Sequence, residues 1–107
     1  MKRYQFYVGT EDKDKLVKIK SDKEFITCFD FWFENYTLQL AQGRYTMQEL
    51  NGIEGLDETI KEKTFIVTVI DNYTDKRLKW IVSNLKQQLN QETILVTQEH
   101  LTTVEFM

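Results

Sequence analysis

Few residues in this chain have the chemistry for catalysis or metal binding. Cys28 is its only cysteine and His100 its only histidine. The two could form a thiol–imidazole nucleophile pair. Cys28, however, sits in an aromatic run with Phe25, Phe29 and Trp32, where a cysteine acts as a small buried hydrophobe. One histidine among scattered carboxylates lacks the spacing of a transition-metal site. Glu99 and His100 are adjacent in a strand-like segment, so their side chains point to opposite faces. Glu11, Asp12 and Asp14 fit a solvated loop. Gly52-Ile53-Glu54-Gly55 is not followed by the Gly-Lys-Ser/Thr of a phosphate loop. Asp71 fits a turn ahead of a helix. No catalytic residue, metal ligand set or cofactor follows from these types, and their balance is against an enzyme.

Binding chemistry is better represented. In Gln42-Gly43-Arg44-Tyr45 a glycine admits close backbone approach, an arginine can fix an anion and a tyrosine offers a flat wall with a hydroxyl. Gln42, Arg44 and Tyr45 are therefore the candidate ligand contacts. The same residues would also suit a β-bulge with a surface arginine and a packed tyrosine. Trp80 lies two residues from Leu78 on a helical stretch, which turns it away from the apolar stripe. It is read as an exposed residue, either resting on the stem of Lys76 or meeting a partner.

These residues need elements to hold them. Arg3 to Gly9 alternates, with Tyr4, Phe6 and Val8 on one face and Arg3, Gln5 and Tyr7 on the other, a half-buried strand. Ser21-Asp22-Lys23-Glu24 has capping-box spacing and opens a helix carrying Phe25, Phe29, Trp32 and Tyr36 at helical period. Within it Cys28 and Trp32 are expected in the core and Phe31 outside it. Thr37 to Gln42 alternates again, and Arg44 to Thr46 can continue the strand. Met47 to Lys63 reads as a surface loop. Thr64 to Ile70 is apolar on both faces, as in a covered central strand. Asp75 to Leu89 is a second amphipathic helix, closed by Asn90-Gln91. Thr93 to Gln98 is the last strand, with Leu101 to Phe106 extending it or adding another.

The order strand, helix, strand, strand, helix, strand predicts an α+β ferredoxin-like βαββαβ fold over 1–107 as a single domain, an antiparallel sheet with both helices on one face. Several segments carry a family resemblance: Tyr7-Val8-Gly9 ending the first strand, Ser21 to Phe25 opening the first helix, Leu38 to Tyr45, and Leu89 to Val96. In their order and spacing they resemble a small bacterial domain family, itself similar to the PII-like and CutA-like group. The resemblance implies the fold and an oligomer and brings no activity with it.

The totals set limits. A chain of 107 residues with 41% hydrophobic residues can bury one core, and a net charge of −3 is neither the basic face of a nucleic-acid binder nor the acidity of a DNA mimic. One cysteine and no apolar leader point to the cytoplasm, and no stretch is long enough for a membrane span. In the predicted fold one sheet face lacks helices, yet Tyr7, Ile66, Ile70 and Leu95 can fall on it. With Trp80 they are the candidate interface. The resulting reading is a non-enzymatic binding or interaction module, homo-oligomeric, open to a protein partner and binding neither nucleic acid nor membrane. Two alternatives stay open: a small enzyme with a pocket near Arg44 and Tyr45, and a mobile-element or phage-derived inhibitor acting by protein–protein contact.

Overall fold

The computed structural model describes residues 1–10, 21–46, 59–105 and 107, of which 43–46 and 59–62 are described by their backbone alone. The elements run β1 (Lys2–Gly9), α1 (Asp22–Trp32), β2 (Thr37–Thr46), β3 (Thr59–Asp71), α2 (Asp75–Gln88) and β4 (Leu95–His100). The strands form one four-stranded sheet in the order β2-β3-β1-β4, and every pairing is antiparallel. This is the expected βαββαβ fold, with β3 and β1 in the central places.

Register follows the period-two pattern. Tyr4, Phe6 and Val8 pair with Val69, Val67 and Phe65, and all six are buried. Both helices lie over this face. α1 contributes Phe25 and Phe29, and α2 contributes Leu78, Ile81 and Leu85. Burying side chains of this size contributes about 1.5–3 kcal/mol each, and aromatic contacts such as Phe25–Phe65 at 5.2 Å and Phe6–Phe33 at 5.0 Å add to it.

The helix ends are built as the sequence indicates. The Ser21 hydroxyl accepts from the Glu24 N–H while the Glu24 carboxylate accepts from the Ser21 N–H, completing a capping box. Thr74 caps α2 by accepting from the Arg77 N–H. Asn90 takes φ 50°, a left-handed geometry that asparagine tolerates. That geometry lets Gln91 N–H donate to Lys86 O and Asn90 N–H to Gln87 O, the paired bonds of a Schellman stop.

Several boundaries differ from the sequence reading, the last strand among them, since β4 runs Leu95–His100 rather than Thr93 to Gln98. α1 ends at Trp32, because Phe33 leaves helical geometry (φ −126°, ψ 124°) and turns its ring back onto Phe6. β3 begins at Thr59 rather than Thr64, since Thr59 to Lys63 pair with Thr46 to Gln42 of β2. The end of the segment read as a loop is therefore strand, and its backbone pairing is invisible to a search for apolar alternation. Residues 101–105 form no strand. Two burial expectations also change: Cys28 and Trp32 are half-buried and pack against the core from its rim.

Candidate functional site

Two surfaces and one strand end carry the candidate residues. The first surface is the sheet face that the helices leave open. Register places Gln39, Ile66, Tyr7 and Leu95 in one row across all four strands. Beside it runs the row Thr37, Thr68, Gln5 and Thr97, and beyond that Ile70, Arg3 and Glu99. Tyr7, Ile66, Ile70 and Leu95 thus share one face, as the alternation predicts, with Leu95 62% and Ile70 38% exposed. The polar row is internally bonded: Gln5 Nε2 donates to Thr68 Oγ1 at 3.4 Å, and the Tyr7 hydroxyl donates to Gln5 Oε1 at 3.3 Å. Arg3 and Glu99 form a salt bridge at the rim.

The same face holds an unusual group. Thr64 lies between Gly9 and Ala41, is 5% exposed, and its Oγ1 is a buried oxygen with no hydrogen-bond partner among the described residues. A buried hydroxyl in that condition lowers stability.

The second surface is the outer seam between the helices. Trp32, on the last turn of α1, meets Trp80 of α2 edge to face at 5.1 Å, and Phe31 meets Trp32 edge to face at 5.1 Å. The Arg77 guanidinium lies over the Trp80 ring at 4.5 Å. Trp80 is 50% and Phe31 75% exposed, so both are on the outside as expected. Trp80 meets Trp32 of the other helix as well as Arg77 of its own, and the pairing with Trp32 is one that a single helix's periodicity cannot give. Further along the seam Gln88 Oε1 accepts from Trp32 Nε1 at 2.9 Å and from Cys28 Sγ at 3.2 Å. An open groove of about 460 Å³ lies there, lined by Glu24, Thr27, Cys28, Phe31, Gln88 and Leu89.

The third location is the far end of the β2–β3 pair. Gln42 is exposed and pairs with Lys63, Arg44 pairs with Lys61, and Tyr45 pairs with Ile60. The side chains of Arg44 and Tyr45 lie outside the described residues. Next to this end Lys63 Nζ bridges both Asp22 carboxylate oxygens, at 2.8 and 2.9 Å.

Two tyrosines have raised pKa values. Burial pushes Tyr36 up to about 12, helped by its 2.6 Å hydrogen bond to Asp30 and the charge of that carboxylate. Tyr73 is also pushed up to about 12, by burial first and then the Asp71 charge, against an opposing effect of Arg77. Neither joins a cluster of catalytic type. Cys28 lies in the helix seam, whereas His100 lies at the exposed end of β4 opposite Lys2. Among the described residues no group of three or more His, Cys, Asp or Glu could hold a metal ion, and no helix is long and apolar enough to cross a membrane.

No protein-family model matches the chain, and no curated protein matches it. Solved structures do. A phage SAM lyase in its apo state superimposes with a TM-score of 0.56 at 17% identity, over 92% of this chain and 78% of that one. The periplasmic divalent cation tolerance protein CutA from Archaeoglobus fulgidus gives 0.54 at 11% identity, over 96% and 87%. The GlnK–ATP complex of B. subtilis gives 0.50 at 8% identity, over 92% and 84%. At these identities the likeness concerns the fold. CutA and the PII-like GlnK are the group the sequence motifs pointed to, and the chain shares their ferredoxin-like βαββαβ architecture.

Proposed function

We propose that this chain is a binding module that assembles from copies of itself through the open face of its sheet. One observation carries the reading: the row Ile66, Tyr7 and Leu95 crosses three adjacent strands on the face without helices. An antiparallel sheet with a free face normally alternates apolar-in and polar-out, and here the central strand β3 puts Ile66 and Ile70 on the free face. Leaving such side chains in water forfeits on the order of 1.5–3 kcal/mol each relative to full burial. A second copy suits the face because its rim carries both signs of charge, Arg3 and Glu99, beside the apolar row. A twofold contact needs a self-complementary patch of that kind. Gln42 and Arg44, which share one face at the end of the β2–β3 pair, are the proposed ligand contacts, with Arg44 as the anion-fixing group. Tyr45, next along an unbroken register, falls on the opposite face and would meet a ligand only at the strand end. The test is sedimentation equilibrium of the parent chain and of Leu95→Lys. The mass should fall on substitution. A monomeric parent, or a mass that Leu95→Lys leaves unchanged, contradicts the reading.

A second reading rests on the names of the structural neighbours. The phage SAM lyase is an enzyme by its name, and another of its structures, with a TM-score of 0.54, holds S-methyl-5'-thioadenosine. The GlnK structure holds ATP. Both ligands contain adenosine. On this reading the chain takes an adenosine-bearing small molecule, and calorimetry tests it. Titration with S-methyl-5'-thioadenosine and with ATP should then show saturable heat for at least one. Incubation with S-adenosylmethionine, followed by chromatography, asks whether a reaction accompanies binding. No heat with either ligand and no product removes this reading and leaves the assembly module standing.

A further inference from the structure

The helix seam holds an arrangement that the sheet face does not explain. α1 and α2 run antiparallel there: Trp32, at the end of α1, meets Trp80 in the first half of α2, whereas Glu24 and Cys28 share the groove with Gln88 and Leu89. The aromatic stripe of Phe31, Trp32 and Trp80 therefore joins the end of α1 to the first half of α2, and Phe31 also lines the groove. Asp30 of α1 and Glu34, two residues past its end, are acidic and exposed, and Lys76, Arg77 and Lys79 of the neighbouring α2 are basic and exposed. Among the described residues the salt bridges are Arg3–Glu99 and Lys63–Asp22, so none holds these five charges. Asp30 accepts from Tyr36, and Arg77 covers Trp80.

We infer that a second copy of this chain docks on this seam about a twofold axis running along it. Such an axis preserves height along the helices and exchanges left with right. It lays Phe31 and Trp80 of one copy on the aromatic stripe of the other. At the same height it brings Asp30 and Glu34 of each copy over Lys76, Arg77 and Lys79 of its partner. The acidic side, the basic side and the aromatic centre each find their complement in the same operation, as an isologous contact requires. Tryptophan and arginine at the centre are the residue types that dominate interface energetics. The seam and the open sheet face lie on opposite sides of the fold, so this contact is independent of the one proposed above.

The experiment uses the full chain carrying Leu95→Lys, which removes the sheet-face contact. Sedimentation equilibrium at low salt should show a monomer–dimer equilibrium that weakens as salt rises. Two variants in that background reverse the two sides: Asp30→Lys with Glu34→Lys, and Lys76→Glu with Lys79→Glu. Each alone should dimerise at least about tenfold more weakly, and an equimolar mixture should recover a heterodimer. Asp30→Lys removes a hydrogen bond to Tyr36, so Phe31→Ser, at a 75% exposed position, serves as a fold-neutral check. It too should weaken the dimer while leaving circular dichroism and urea unfolding unchanged. A monomer at low salt in the Leu95→Lys background, or dimers that neither charge reversal nor Phe31→Ser alters, overturns the inference.

Discussion

The phenol oxygen of Tyr4 lies 3.2 Å from both the backbone N and the backbone O of Tyr73, accepting from the one and donating to the other. Tyr4 is a fully buried residue of β1, and Tyr73 is in the turn between β3 and α2. A single hydroxyl thus satisfies two main-chain groups of a turn and fixes where α2 begins. Rings packed at 5.0 Å reinforce the join. Tyr4→Phe should keep the fold and the ring contact and cost about 1–2 kcal/mol, because it leaves the Tyr73 N–H without its acceptor. Urea unfolding checks this; a variant as stable as the parent would show the turn is held elsewhere.

Thr64 predicts the opposite sign. Its Oγ1, on the central strand β3, is buried without a partner among the described residues. Replacing it with valine keeps the branched shape that strands favour and removes the stranded hydroxyl. Thr64→Val should raise stability by about 1 kcal/mol, read as a higher urea midpoint at unchanged slope. A loss of stability would mean the hydroxyl is satisfied in solution.

The two tryptophans should separate less sharply than their sequence positions suggest. Trp32 is half-buried and donates to Gln88, so Trp32→Ala should cost about 2 kcal/mol, below the roughly 3–5 kcal/mol typical of fully buried aromatics. Trp80, 50% exposed, should cost about 1 kcal/mol or less in the monomer. Thermal unfolding of both variants at low protein concentration makes the comparison. A larger loss from Trp80→Ala would contradict the packing described.

Alkaline pH gives a fourth expectation. Tyr36 and Tyr73 are raised from an ordinary 10.0 to about 12 in the folded chain. Between those values the unfolded chain has released protons that the folded chain retains, so stability falls as pH rises through this window. Below about pH 10 the contribution of both groups is fully present. Tyrosinate absorbance should show Tyr36 and Tyr73 titrating late, and Tyr36→Phe should remove one late-titrating group and flatten the fall. Titration of every tyrosine near its ordinary value would refute it.

How far the sequence led can be judged element by element. The Ser21–Glu24 spacing is a local signal, and the capping box it implies is present. Period-two alternation separates Tyr4, Phe6 and Val8 from Tyr7, and the sheet places them on opposite faces accordingly. What pattern could not give depends on contacts between elements. Trp32 looks like core on the α1 wheel, yet it lies at the rim because Trp80 and Gln88 hold it there. Thr59 to Lys63 carries charges where a buried strand would carry apolar residues, and its strand character comes from main-chain pairing with β2. The unsatisfied Thr64 hydroxyl has no sequence signature, since threonine is an ordinary strand residue. The seam groove is likewise a product of how the two helices meet.

The central claim is that the open sheet face is covered by another copy of the chain. Leu95, 62% exposed on the edge strand β4, sits in the row with Tyr7 and Ile66 and can be changed without touching the core. Sedimentation equilibrium at micromolar concentration, on the parent and on Leu95→Lys, is the most direct measurement. The account predicts an associating parent whose mass falls when a charge enters the row. A parent that sediments as a monomer, or a variant whose mass equals that of its parent, would contradict it.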